Sequence, residues 1–506
     1  MPDRPPNFLF LTTDQHRADG LGCYGNPHVH TPHLDALAAG GVRLQRAYVA
    51  NPLCMPSRAT LLTGCTPRAH RVWSNGVPLG SELRLLGDLL AETGYRTACV
   101  GKMHFTPYGA EARPGYFEAE RLWEECDLGD WNGPYAGFQW VQLTIGHTSA
   151  SAGHYGRWLG HHHPEVQRAY RQDRRRGVRA PSNAPETWTS TLPVSLHPST
   201  WIAERSLEYL EQHRRKSPEQ PFFLWASFPD PHHPFRPPAK YVARYAGAQV
   251  ARPVCREGEL TDKPPHFQEY YDGKLRGDQR HEGAGIDWPG GISEEQMLDI
   301  IRYTYGMITL VDDCIGKILE GLSALGLVEN TVVCFAADHG ELLGDHGLLC
   351  KGPFHYEGLL RVPLLWRLPG EFPAGVTSEA FVSLTDFAPT VLDLARAAPP
   401  REMQGASLVR LLRGETTSHR EGVLTELHSY YRPWLNLKTW REENWKLTYY
   451  AGQPYGELYD LRADPEEFVN LYDYPEYAEV RHRLQERLLQ ELILTEPRLP
   501  PVESHA

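Results

Sequence analysis

Asn7-Phe8-Leu9-Phe10-Leu11-Thr12-Thr13-Asp14-Gln15 is a short, mostly apolar run that stops on an acid and an amide, with Pro5-Pro6 in front of it. Seven residues are too few for a helix. An unalternated apolar run bounded in this way reads as a strand buried on both faces, the kind found inside parallel sheets. The same pattern returns at residues 96–100, 222–228 and 331–337. Between these runs lie stretches with helical spacing, at 33–39, 55–63, 81–92, from Ser199 onward, and at 293–325. Strands alternating with helices predict an α/β fold with a large, mostly parallel sheet flanked by helices.

In sheets of this kind ligands bind beyond the carboxyl ends of the strands. The chemistry-bearing residues fall there: Asp14 and Gln15 after the first strand, Lys102 and His104 after the second, His232 after the third, Asp338 and His339 after the fourth. Residues 107–196 and 236–292 are rich in Pro, Gly, His and Arg, lack apolar periodicity, and are expected to form loops and short elements over the sheet edge. From about Gly405 the texture changes to short strands and a terminal amphipathic helix. The expected organisation is a catalytic domain over 1–404 and a smaller α+β subdomain over 405–506. The run His161-His162-His163 reads as a solvated loop, since adjacent residues cannot all face one ion.

The 506 residues carry 63 acidic and 51 basic side chains, a formal charge of -12. This argues against nucleic acid and acidic membrane partners, but not against a small anion held in a pocket of its own charge. The opening residues lack the cleavage site of a secretory leader, and no window approaches the ~18 apolar residues of a membrane-spanning helix. Nine cysteines without a C-x-x-C pair suggest neither a disulfide framework nor a zinc ribbon. The expectation is a cytoplasmic protein; a homo-oligomer is left open.

The strongest local signal is Cys54-Met55-Pro56-Ser57-Arg58, continuing through Ala59 to Gly64. Most free cysteines are small buried hydrophobes. Here Pro56 suits the first turn of a helix and Arg58 sets a permanent cation one turn on, so the helix start is built for an anion. This segment resembles the signature of the sulfatase family, within the alkaline-phosphatase superfamily, which includes arylsulfatases and phosphonate monoester hydrolases. The resemblance extends to Phe10–Gln15, to Gly101-Lys102-Met103-His104, to Pro231-His232-His233-Pro234-Phe235, to Ala337–Gly347, to Lys351 with Tyr356-Glu357 and Arg361-Val362-Pro363, and to Ser383–Thr390.

The resemblance implies a hydrolase of sulfate esters whose Cys54 is oxidised to formylglycine by a separate maturation enzyme that reads the Cys, Pro and Arg. It implies one divalent metal ion at Asp14, Gln15, Cys54, Asp338 and His339, with calcium favoured over manganese or magnesium. Gln15 departs from the second carboxylate common in the family. Arg58, Lys102 and Lys351 are expected to stabilise the anion, His104 to handle protons of the aldehyde hydrate, and His232 to act as general acid toward the leaving oxygen. Thr106 and Asn75 are expected to bind substrate. Asn75 lies in Arg71-Val72-Trp73-Ser74-Asn75-Gly76, which is similar to the corresponding segment of phosphonate monoester and phosphodiester hydrolases, the nearest rival reading. A non-catalytic binding protein that retains the fold is a more distant rival.

Overall fold

The computed structural model describes residues 4–147, 152–172, 177–274, 289–429 and 432–497. Strand β1 (Asn7–Thr13) is buried at every position because it has a parallel neighbour on each side. The sheet also contains β2 (Val42–Tyr48), β3 (Arg96–Gly101), β4 (Trp140–Ile145), β5 (Phe222–Ser227), β6 (Thr331–Ala337), β7 (Leu364–Arg367) and β8 (Val376–Ser383). Their order is β8-β2-β7-β6-β1-β5-β3-β4, and a two-residue strand, Arg361–Val362, pairs with β2 as the ninth. Pairing is parallel apart from β7 and the two-residue strand. Among the described residues nine strands build it, the four marked by the sequence pattern lying among them.

Side chains alternate between two cores, as the period of a strand requires. Phe8 and Phe10 of β1 face a cluster that includes Leu61 and Leu62 of helix α1 (Cys54–Thr63). Leu9 and Leu11 face helices α2 (Pro198–Lys216) and α3 (Glu294–Ala324), through side chains such as Ile202, Leu210, Ile308 and Ile315. Each fully buried Leu, Ile or Phe contributes about 1.5–3 kcal/mol. Helix α3 begins where Ser293 Oγ accepts from Gln296 N and Gln296 Oε1 accepts from Ser293 N, a reciprocal cap.

The interval 107–196 is more than loops. It supplies β4, the outer strand next to β3, and among the described residues three helices, Glu120–Glu125, Gly153–His162 and Pro164–Gln172. His161 and His162 close the helix Gly153–His162, exposed, instead of lying in a loop. The interval 236–292 carries two short helices, Ala239–Tyr245 and Pro265–Tyr271; its residues 275–288 lie outside the described residues.

A second, antiparallel sheet is formed by β9 (Gly422–His428), β10 (Asn436–Glu442), β11 (Trp445–Tyr450) and β12 (Gly456–Asp460), in that order. Helix α4 (Ala478–Leu494) packs Leu484 and Leu488 against its Leu424, Trp440, Leu447 and Leu458. Leu408, Val409, Leu411 and Leu412 belong instead to the core of the large sheet, so the smaller sheet begins only at Gly422. β9 runs along the segment before α1: Glu426 N donates to Ala50 O (2.8 Å), Asn51 Nδ2 donates to Glu426 O (2.8 Å), and Leu53 packs with Leu427, Leu435, Leu437 and Tyr450. No described helix is long and apolar enough to cross a membrane.

Candidate active site

The carboxyl ends of β1, β3, β4, β5 and β6 deliver their side chains to one edge of the sheet. Helix α1 starts there too. Leu53 is extended and gives α1 no side-chain cap, so the first turn depends on another group: Asn75 Oδ1 accepts from Met55 N at 3.0 Å. At the end of β3, Gly101 takes φ +110°, and a Cβ there would overlap Ser227 O, so only glycine lets the chain turn this close to β5 and present Lys102. Gln15 and His104 hold φ near +60° without being glycine, a strained conformation that clusters at functional sites.

Cys54 Sγ lies 3.6 Å from Asp14 Oδ1, 3.3 Å from His339 Nε2 and 2.9 Å from Lys351 Nζ. Lys351 Nζ also lies 3.0 Å from Gln15 Oε1, 3.0 Å from His339 Nε2 and 2.9 Å from His232 Nε2. Asp14, Cys54, Asp338 and His339 each offer a ligand atom within 4.8 Å of the others. With the Gln15 oxygen beside them, two carboxylates, an amide and one imidazole form a donor set suited to a hard divalent cation. All of these residues are buried.

Charge is dense here. Three buried cations, Arg58, Lys102 and Lys351, surround two buried carboxylates, Asp14 and Asp338. Burial by itself pushes the Asp14 carboxyl up, but Lys102, Arg58 and Lys351 hold it well below the ordinary carboxylate range. The Cys54 thiol is raised by burial and by Asp14, yet Lys351 and Lys102 bring it below its usual value. His104 and His232 are pushed well down, first by burial and then by neighbouring positive or imidazole groups, and rest neutral.

Three expected roles change once contacts are seen. Arg58 does not present an open fork to an anion: Nε donates to Asp338 Oδ2 (2.8 Å), Nη2 to Asp14 Oδ2 (3.3 Å), and Nη1 to Lys102 O (2.7 Å) and Ser227 Oγ (2.9 Å). It braces the two carboxylates. Thr106 turns its hydroxyl to Tyr135 Oη (3.2 Å) instead of the site, and its N–H donates to Glu118. His232 Nδ1 is 2.5 Å from His233 O; a carbonyl only accepts, so Nδ1 carries the proton and Nε2 accepts from Lys351. The proton on that side of the site therefore rests on the lysine.

Sequence reasoning overlooked Glu341, His147 and Tyr108. Glu341 is buried, bonds the Gln15 amide, and accepts from Leu343 N (3.0 Å) and Cys350 N. It orients Gln15 so that Oε1 faces Lys351. An acid two residues after His339 was the available signal. His147, just beyond β4, stacks on His232 with ring centroids 3.6 Å apart. His233 contacts Gln15 Nε2 at 3.2 Å and stacks on His232 with ring centroids 4.1 Å apart.

Comparison with known proteins places this geometry. Residues 6–397 match the sulfatase family, and residues 344–493 match the C-terminal region of N-sulphoglucosamine sulphohydrolase. The chain belongs to the sulfatase family and is, as a class, a sulfuric ester hydrolase. It is 29% identical to an arylsulfatase of Clostridium perfringens, over 96% of this chain and 94% of that protein. It is 30% identical to the multifunctional alkaline phosphatase superfamily protein PehA of Trinickia caryophylli, over 93% and 92%. A solved phosphonate monoester hydrolase of Agrobacterium radiobacter superposes with a TM-score of 0.80 at 27% identity, covering 97% of this chain and 96% of that one.

Proposed function

We propose that the chain hydrolyses small sulfate esters with a formylglycine made from Cys54 as its nucleophile. The observation that carries this is the position of Cys54: at the start of α1, 2.9 Å from Lys351 and within ligand distance of Asp14, Asp338 and His339. Cys54 Sγ stands where a hydroxyl of the aldehyde hydrate would stand. Asp14, Gln15, Asp338 and His339 would hold a divalent cation, calcium by the count of oxygen donors, manganese or magnesium by the imidazole. When bound, it supplies positive charge to the anion and acidifies the attacking hydroxyl.

The chain's own residues then divide the work. Arg58 keeps the Asp14 and Asp338 carboxylates aimed. Lys102 and Lys351 lower the energy of charge on the oxygens, an electrostatic effect already organised before reaction. One hydroxyl of the hydrate attacks sulfur and the ester oxygen leaves with a proton. The second hydroxyl then gives up its proton, the carbonyl re-forms, and sulfate departs without water attacking sulfur.

The proton for the leaving oxygen comes from the Lys351–His232 pair. An aryl oxide leaves readily as an anion, whereas an alkoxide needs a proton as the bond breaks. His232→Ala should therefore cost about 10²–10⁴-fold in kcat/KM for an alkyl sulfate and clearly less for nitrophenyl sulfate. Equal losses on the two substrates would confine His232 to binding.

A second reading, hydrolysis of phosphonate monoesters or phosphodiesters on the same site, is favoured by the likeness to the Agrobacterium radiobacter enzyme and by an amide and an imidazole among the cation's donors. A panel of sulfate, phosphonate and phosphodiester substrates sharing one nitrophenolate leaving group separates the two. The sulfate reading predicts the highest kcat/KM on the sulfate; a faster phosphonate would reverse the assignment.

A further inference from the structure

Beside the nucleophile, three polar ring atoms are buried with no hydrogen-bond partner among the described residues: His104 Nδ1, the Tyr108 hydroxyl and His147 Nε2. They belong to one cluster. The rings of His104 and Tyr108 stack at 4.0 Å, and His147 meets both edge-on, at 6.3 and 6.1 Å. His147 also lies parallel to His232, with an interplanar angle of 8°. An unsatisfied buried polar atom costs about 1–3 kcal/mol, so three together mark a place where a ligand supplies the partners. His104 belongs to the Gly-Lys-x-His segment, but Tyr108 and His147 have no role in the mechanism above.

The distances say which part of a ligand they meet. A ring nitrogen of His147 lies within 4.8 Å of both Cys54 Sγ and a ring nitrogen of His232. A tetrahedral anion poised for attack keeps its central atom about 3–3.5 Å from the nucleophile. Its oxygens project outward from that atom, so the His147 nitrogen falls within hydrogen-bond reach of them.

We propose that His147, with the Tyr108 hydroxyl beside it, is a specificity-determining residue that donates a hydrogen bond to a non-bridging oxygen of the bound ester. This rests on the hydrolase reading above and deepens it by selecting a substrate class. Lys102 and Lys351 are point charges and serve any anion of the right size. Neutral donors respond instead to whether an oxygen is present at one position. A sulfate monoester has three non-bridging oxygens. A phosphonate monoester replaces one by carbon, and a phosphodiester replaces one by an esterified oxygen. Facing carbon, the donors stay unpaired, and a site built to bond an oxygen rejects an analogue lacking it. His147 and Tyr108 thus tilt a site of general anion chemistry toward sulfate.

His147→Phe preserves a ring against His232 and removes both nitrogens; Tyr108→Phe removes one oxygen atom. We expect His147→Phe to lower kcat/KM for nitrophenyl sulfate by about 10²-fold while changing that for nitrophenyl phenylphosphonate by about threefold or less. Tyr108→Phe should shift the same ratio in the same direction, and His147→Gln, which restores a donor, should recover part of the loss. Inhibition by inorganic sulfate should weaken more than inhibition by methyl methylphosphonate, which has only two non-bridging oxygens, in each Phe variant. Equal losses on both substrates would mean that His147 only supports the His232 ring, and unchanged kcat/KM on both substrates in both variants would mean that these atoms never meet substrate. Either result overturns the proposal. Should His147→Phe fail to fold, Tyr108→Phe makes the same comparison. A wild-type enzyme inert toward every sulfate ester would sink the sulfatase reading by itself, and the two inhibitors would still test His147 on whichever ester is cleaved.

Discussion

Cys54→Ser is expected to stop turnover and to trap the substrate's sulfuryl group on the protein. A serine at position 54 still offers an oxygen at the start of α1, next to Lys351. It can attack sulfur and release the alcohol once, but it has no second hydroxyl on the same carbon through which to expel sulfate. Loss of the nucleophile's cycle should lower kcat on the order of 10⁴–10⁶-fold, the scale seen when a covalent catalyst is removed. Intact-mass measurement after incubation should show one sulfuryl adduct per chain, with a single-equivalent burst of leaving group. Cys54→Ala should show neither. In the active wild-type enzyme, the tryptic peptide ending at Arg58 should carry an aldehyde. Steady turnover by the serine variant, or active wild type with only thiol at Cys54, would rule out the mechanism.

Asp338→Asn should abolish both metal binding and activity and should also destabilise the fold. Asp338 Oδ1 accepts from Gln15 N (3.0 Å) and His339 N (2.9 Å), while Oδ2 accepts from Arg58 Nε (2.8 Å). The substitution leaves one carboxylate, Asp14, against three buried cations, so repulsion toward a divalent ion rises where attraction is needed. It also breaks one arm of a wholly buried ion pair, a change that typically costs about 3–5 kcal/mol because the remaining charge is stranded. We expect activity to fall by more than about 10³-fold, exceeding the loss of a single oriented donor. Elemental analysis should find a stoichiometric divalent metal in wild type and none in the variant, and chelation of wild type should reproduce the loss. A variant that keeps its metal and its rate would refute the ligand assignment.

Much of the site was legible because strand ends are sharp in sequence. In β1 and β6 the apolar run is buried throughout and breaks directly onto Asp14 or Asp338, so pattern and position coincide. β2 was missed because its central Arg43, Gln45 and Arg46 are only half-buried, which dilutes the apolar signal. β4 was missed for a related reason: it lies at the outer edge of the sheet, inside a long stretch dominated by Pro, Gly and His. With β4 unseen, His147 at its end could not be placed. The assignments of Arg58 and Thr106 changed for another reason. Their partners are Asp338, Lys102 O and Ser227, or Tyr135 and Glu118, and such long-range contacts exist only once the sheet is assembled.

The burial of α1 bears on the order of events in the life of the chain. Every residue from Cys54 to Thr63 is buried, Arg58 completely, and Leu53, next to Cys54, packs with Leu427, Leu437 and Tyr450. An enzyme that reads Cys54, Pro56 and Arg58 by contact cannot reach them in the finished protein. It must meet the nascent polypeptide, before β9 closes over Ala50 and Asn51. Because β9 lies far downstream, translation would hold that window open, and the proposed conversion of Cys54 would be a race against the emergence and docking of the carboxyl-terminal sheet. On that reading delayed docking would favour the aldehyde, and early docking would seal in a thiol.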